Sequence, residues 1–286
     1  MAFLRLIRFQ NLLIIALTML GVQQAMLSEP LKIEGQMAFW LFILSTVLIA
    51  AAGNSINDYF DLRSDRLNRP DKIVIGKHLK KRWAIIIHWG FNAMAVGISI
   101  FLGFYLHSWF FLFIHLLSST LLWSYSVYLK KVFFWSNIVI AFLVALIPLI
   151  SWAYLTILDV RLEHKAMVVF FTAFAFLLTV SREIIKDMQD MEGDQLVNVQ
   201  SIPLVLGAKR AKMFVAVSCG ITLLLYFGFI AYYLPNHQPL FLVPLSTAVL
   251  LSALVTLLFL WNIPSNVLSL LLKISMLTGV ISLFFI

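Results

Sequence analysis

Nine stretches of about 20 apolar residues run along this chain, roughly at 9–27, 38–57, 84–106, 108–128, 133–157, 166–187, 211–234, 239–261 and 265–285. A helix needs about 20 apolar residues to cross the hydrocarbon core of a bilayer, whereas a barrel strand would be short and alternating. The pattern predicts an all-α, polytopic membrane protein with nine transmembrane helices. Composition agrees, with 62% hydrophobic and 12% charged residues; a soluble domain is nearer a quarter charged. Residues 1–286 read as a single unit, because the longest loops, about 58–83 and 188–210, are too short for a core of their own. The lone cysteine, Cys219, excludes a disulfide framework and a Cys-rich zinc site. Arg5 and Arg8 precede the first stretch as they would in a signal peptide. The apolar run is long, however, and no small-x-small cleavage site follows, so it is expected to remain as the first span.

Charge sets the expected direction. With the N-terminus inside and nine spans alternating, only Lys32, Arg161 and Lys165 of the 21 Lys and Arg fall outside, and Lys273 lies within the last span. That asymmetry is the positive-inside pattern. It predicts a multi-pass protein of the cell (inner) membrane whose N-terminus and larger polar loops are cytoplasmic. The net charge of +8 comes without a long basic tract, so nucleic acid is not an expected partner. Nothing in the sequence implies an obligate protein partner.

Most of the 13 acidic residues gather in two windows at inner helix ends. The first contains Asn57, Asp58, Asp61 and Asp65; the second contains Glu183, Asp187, Asp190, Glu192 and Asp194. At about 100° per residue, Asn57, Asp61 and Asp65 form one stripe. Read as one continuing helix, Glu183, Asp187, Asp190 and Asp194 form another, and Glu192 points away. Like charges at this spacing destabilise a helix, and a hard divalent cation reverses that penalty. Mg²⁺ prefers oxygen, takes one or two carboxylates, and completes its shell with phosphate oxygens and water. Two carboxylate rows therefore suggest a site for Mg²⁺ and a diphosphate. Arg8, Arg66, Arg69, Lys72, Tyr125, Lys130 and Lys186 lie near the rows or at other inner helix ends, where such groups can hold phosphate oxygens. Asp71 and Glu192 are expected to be solvated surface charges. Asn54 is open to two readings, metal support or a bond between helices.

The pair of motifs, Asn57-x-x-x-Asp61-x-x-x-Asp65 and Asp187-x-x-Asp190-x-x-x-Asp194, resembles the signature of the UbiA family of intramembrane prenyltransferases, and the likeness covers essentially the whole chain. Tyr125-Ser126-x-Tyr128-Leu129-Lys130 is similar to the family's Tyr/Lys element. The resemblance implies a bundle of nine helices around a central cavity, with the two motifs facing each other and holding Mg²⁺ with a polyprenyl diphosphate donor. It implies Asn57, Asp61, Asp65, Asp187, Asp190 and Asp194 as metal ligands. It also implies transfer of the prenyl group to a lipophilic or aromatic acceptor. Asp61 and Asp190 are then expected to be indispensable, and Asp58 and Asp194 are candidate proton acceptors by position.

Within the family, Asn57-Asp58-Tyr59-Phe60-Asp61 followed by Asp65-Arg66-x-Asn68-Arg69-Pro70 is most similar to enzymes that geranylgeranylate geranylgeranylglycerol phosphate. Those enzymes usually continue Arg-Pro-x-x-Ser-Gly; this chain continues Lys72-Ile73-Val74-Ile75-Gly76, and an aromatic acid acceptor stays open. A transporter would place its acids nearer the bilayer midplane. A CDP-alcohol phosphotransferase would carry Asp-Gly-x-x-Ala-Arg, which is absent here.

Overall fold

The computed structural model describes residues 2–233, 245, 248–250, 252, 254 and 264–285, with the side chains of Lys72 and Tyr233 excepted. The eighth apolar stretch, 239–261, thus lies largely outside the described residues. Among the described residues, eight helices are long and apolar enough to cross a membrane. They are α2 (Phe9–Met26), α3 (Ile33–Asn68), α4 (Lys81–Tyr105), α5 (Phe110–Val127), α6 (Trp135–Ile157), α7 (Lys165–Gln189), α10 (Ala208–Tyr233) and α11 (Ser265–Ser282). Three short helices join them: α1 (Ala2–Leu6), α8 (Met191–Leu196) and α9 (Ile202–Leu206). The described residues contain no strand, as the length of the apolar runs predicts.

The long helix α3 has 36 residues, about 54 Å at the helical rise and well beyond the roughly 30 Å hydrocarbon core. Its apolar part fills one span, and its polar remainder, from Asn54 onward, projects past that span. No Gly or Pro interrupts this polar segment until Pro70. The residue before a proline is pushed out of helical geometry; Arg69 accordingly takes φ −147° and ψ 57°, and the helix stops there.

Helix α7 ends differently from the single continuing helix that the spacing predicts. Asp190 leaves helical geometry at φ −101° and ψ 7°, and α8 restarts at Met191. Asn68 Nδ2 donates to the Asp190 carbonyl at 2.9 Å, and Arg69 Nη2 donates to the Asp190 carboxylate at 2.8 and 2.6 Å. These bonds from the end of α3 hold the break in place.

Helix α3 packs along α4 and α5, α6 along α7, and α7 along α10 and α11, while α2 lies against α3, α6 and α11. This ring encloses a cavity. At the end away from the acidic residues, Phe39, Phe42, Phe111 and Tyr154 form a fully buried aromatic cluster. Phe42 stacks on Tyr154 at 5.4 Å, and the Tyr154 hydroxyl donates to the Gly35 carbonyl at 2.8 Å. Polar side chains tie α3, α4 and α5 together: Ser119 to Asn92 at 2.7 Å, His88 to the Ala52 carbonyl at 3.0 Å, and His115 to both Ser99 and Thr46. Between membrane helices such bonds matter because lipid supplies no hydrophobic drive for association. At Gly53 a Cβ would lie 2.8 Å from Leu122, so α5 approaches α3 closely only because that position is glycine. Trp89, Phe113 and Leu224 point outward and are more than half exposed, as befits a lipid-facing surface.

Candidate active site

The cavity has a volume of about 1230 Å³. At one end its wall carries Asn57, Asp58, Asp61 and Asp65 from α3, and Asp187, Asp190 and Asp194 from α7 and α8. The two acidic rows therefore face one shared space. Farther in, the wall is mainly apolar, with Ile49, Leu143, Val144, Ile147, Phe171 and Phe174.

Cations thread between the carboxylates. Lys130 Nζ donates to Asp61 Oδ2 at 2.6 Å, Arg8 Nη2 to Asp58 Oδ1 at 2.9 Å, and Arg69 bridges from α3 to Asp190. Burial alone pulls the Lys130 ammonium down, but Asp61 outweighs it and holds Lys130 above its ordinary value. Burial pushes the Asp194 carboxyl up to about 6; Lys130 opposes this, and Asp190, Asp61 and Asp65 add to it. Tyr125 is on the same wall.

The position of Arg8 depends on a break between α1 and α2. Arg8 adopts left-handed geometry, φ 53° and ψ 52°, and Asn54 Nδ2 donates to the Ile7 carbonyl at 3.0 Å. Asn54 thus bonds between helices, the second of its two readings.

The remaining expected residues divide. Lys186 lines the cavity but is committed to Glu183, at 2.8 and 2.9 Å. Arg66 is exposed and off the cavity wall. The Lys72 side chain lies outside the described residues. Glu192 is exposed and away from the cavity, and Asp71 is exposed too, at the cavity rim.

Three residues that sequence reasoning passed over support the site. Asn137 Nδ2 donates to Asp187 Oδ2 at 2.8 Å. Asn68 joins the two motifs, since its Oδ1 also accepts from the Gly193 backbone at 2.8 Å. A Cβ at Gly193 would overlap the Asn68 amide, so glycine permits this clasp. Gly193 sits inside the second window and Asn68 just past the first, in the stretch that carries the resemblance, which is the signal that could have raised them; Asn137 has no such signal.

The residues fit a hard divalent cation. The donor set is oxygen-rich, and the buried Asn57 Oδ1 has no hydrogen-bond partner among the described residues, although Asn57 Nδ2 donates to Asp61 at 2.6 Å. No group of three His, Cys, Asp or Glu side chains among the described residues is arranged to hold a metal ion, so the carboxylates of the two rows would each engage Mg²⁺ one or two at a time, with phosphate oxygens and water completing the shell.

The model of the UbiA prenyltransferase family matches residues 12–277. The chain belongs to that family. With membership come the enzyme class, a prenyltransferase, and the fold class, a polytopic helical membrane protein. A digeranylgeranylglyceryl phosphate synthase from Thermococcus gammatolerans is 32% identical over 211 residues, covering 73% of this chain and 71% of that one. A solved structure concerning digeranylgeranylglyceryl phosphate synthase in membranes superposes with a TM-score of 0.70 at 22% identity, covering 100% of this chain and 98% of the other. A UbiA homologue from Archaeoglobus fulgidus, bound to GPP and Mg²⁺, superposes with a TM-score of 0.62 at 17% identity over the full length of both chains.

Proposed function

We propose that this protein transfers a polyprenyl group from its diphosphate to a lipophilic acceptor within the membrane, and that the acceptor is geranylgeranylglycerol phosphate. The observation that carries this reading is the convergence of both acidic rows on one end of a cavity whose other end is apolar. The charged end suits a metal-bound diphosphate and the apolar end suits an isoprenoid tail. The Thermococcus gammatolerans relative favours the glycerol phosphate acceptor. The Archaeoglobus fulgidus structure, with GPP and Mg²⁺, favours this donor and metal.

In this reading Asn57, Asp61, Asp65, Asp187, Asp190 and Asp194 would hold Mg²⁺, which supplies positive charge to a departing diphosphate. Lys130 and Arg69 are fixed on Asp61 and Asp190, so their positive charge is aimed at the leaving group before the substrate arrives. Tyr125 adds a hydroxyl on the same wall. Arg8, anchored by Asp58, closes the side formed by α1 and α2. As the bond from C1 to the diphosphate loosens, the apolar wall keeps water from the allylic carbon. The acceptor hydroxyl attacks C1, and its proton passes to a carboxylate; Asp194, which has no ion-pair partner among the described residues, suits this better than Asp58, which is held by Arg8.

We read residues 1–286 as one catalytic unit. The basic bias of the inner loops supports a cell-membrane location with the N-terminus and the acidic rows on the cytoplasmic side. The test is mass spectrometry of products from purified protein given geranylgeranyl diphosphate, Mg²⁺ and either geranylgeranylglycerol phosphate or a set of hydroxylated aromatic acids. A digeranylgeranyl product with the glycerol lipid alone is expected. Prenylated aromatic acid instead would reassign the acceptor, and no diphosphate release with any acceptor would end the proposal.

A further inference from the structure

The wall of the cavity also carries a second polar pole, deeper along α7 than Asp187 and Asp190. Arg182 is eight residues before Asp190 on α7, about 12 Å farther along at the helical rise. Opposite it, Lys273 of α11 lines the same space, and so does Gln10 of α2. Lys273 Nζ donates to Gln10 Oε1 at 3.0 Å and has no carboxylate partner among the described residues. A lysine inside a membrane span is costly and marks a functional position by default. Arg182 gives Nη1 to Glu183 at 3.1 Å, but its Nε is buried with no partner among the described residues. Arg182 lies within electrostatic range of both Lys186 and Lys273.

The charges at this pole do not balance. Among the described residues Arg182, Lys186 and Lys273 have one ion-pair partner between them, Glu183, which leaves two positive charges over. The acidic pole has the opposite imbalance, with Asp61, Asp65, Asp187, Asp190 and Asp194 against Lys130 and Arg69. A cation therefore suits one pole and an anion the other. A phosphate monoester carries between one and a half and two negative charges near neutral pH, about what the basic pole lacks.

We propose that Arg182 and Lys273, with Gln10 beside them, form the binding site for the anionic headgroup of the acceptor, a phosphate monoester on an amphiphile. This rests on the transfer reading above and deepens it. The donor diphosphate belongs to the acidic pole and the acceptor phosphate to the basic one. In a glycerol phosphate lipid the hydroxyl and the phosphate sit on adjacent carbons, so a phosphate held at Arg182 and Lys273 turns the neighbouring hydroxyl toward the acidic pole, where C1 of the donor would lie. Gln10 keeps the Lys273 ammonium directed across the cavity.

The test uses the full chain in lipid nanodiscs, with Lys273→Gln, Arg182→Gln and the conservative Lys273→Arg. Two acceptors are compared, an alkylglycerol phosphate and the same alkylglycerol without phosphate. Loss of a hydrogen bond to a charged group is expected to raise KM for the phosphorylated acceptor by about tenfold to a hundredfold in either Gln variant. KM for the prenyl diphosphate, and kcat/KM for the uncharged acceptor, should stay near wild type, and Lys273→Arg should recover most of the loss. A parallel binding measurement of the alkylglycerol phosphate, without donor or Mg²⁺, should show the same weakening. Equal losses with both acceptors, a rise in donor KM, or unaltered binding of the phosphorylated lipid would overturn the site. If wild-type protein releases no diphosphate with any acceptor yet binds the phosphorylated lipid through Lys273, the transfer reading falls and the anion site stands.

Discussion

Lys130 and Asp61 lie 69 positions apart in the chain and 2.6 Å apart in space, and their pair shows how single residues make this site work. Three of the five carboxylates that would take a metal are already oriented by a neutral amide or a cation. Asn57 holds Asp61, Asn137 holds Asp187, and Arg69 holds Asp190. Replacing Lys130 by Met should lower kcat by about a hundredfold to a thousandfold, the usual cost of removing one preorganised electrostatic contact; steady-state turnover close to wild type would take Lys130 out of the site. Asn137→Ala should leave the fold intact and raise the Mg²⁺ concentration for half-maximal activity by about tenfold to a hundredfold, as is typical when a group that orients a metal ligand is lost. A magnesium titration that overlays wild type would show Asp187 to be oriented by something else. Asn137 had no mark in the sequence, because an asparagine at a helix start is ordinary until a particular aspartate is seen to face it.

At the scale of elements, α3 and the α7–α8 pair contrast. The row Asn57, Asp61, Asp65 was legible because α3 runs unbroken to Asn68, so helical spacing and the actual face coincide. The second row also reaches the cavity, but by another route. A continuous helix would bring Asp194 round by rotation alone; here the chain bends at Asp190 and α8 delivers it. Spacing within one helix cannot reveal such a bend, since the bonds that hold it come from Asn68 and Arg69, more than a hundred positions away. The clasp gives a prediction of its own. Gly193→Ala places a methyl against the Asn68 amide and should separate α8 from α3, cutting turnover while the helical circular dichroism signal stays. Full activity in that variant would mean that the clasp contributes nothing to the site. The break at Arg8 follows the same logic, with Asn54 of α3 holding the Ile7 carbonyl.

At the scale of the whole molecule, the described helices form a ring closed at the end away from the acidic residues by the cluster of Phe39, Phe42, Phe111 and Tyr154. Tyr154→Phe removes only the bond to the Gly35 carbonyl. It should lower stability by about 0.6 kcal/mol, and by no more than about 1.7, with little effect on turnover; an unchanged thermal unfolding midpoint would show that bond to be without weight. Chelation by EDTA should stop turnover and added Mg²⁺ restore it, with no change in helix content, because the ring of apolar contacts does not depend on the metal; metal-independent turnover would contradict the assigned ligands. The sequence alone determined the membrane-spanning helices and the two acidic rows, because hydrophobic length and helical period are local properties of the chain. Only the tertiary structure decided that the rows share a cavity, that Asn68, Asn137 and Gly193 support it, and that Lys273 and Arg182 line it too. Those are distances between helices far apart in sequence, set by how the side chains of the whole ring pack and bond, and no period along one helix encodes them.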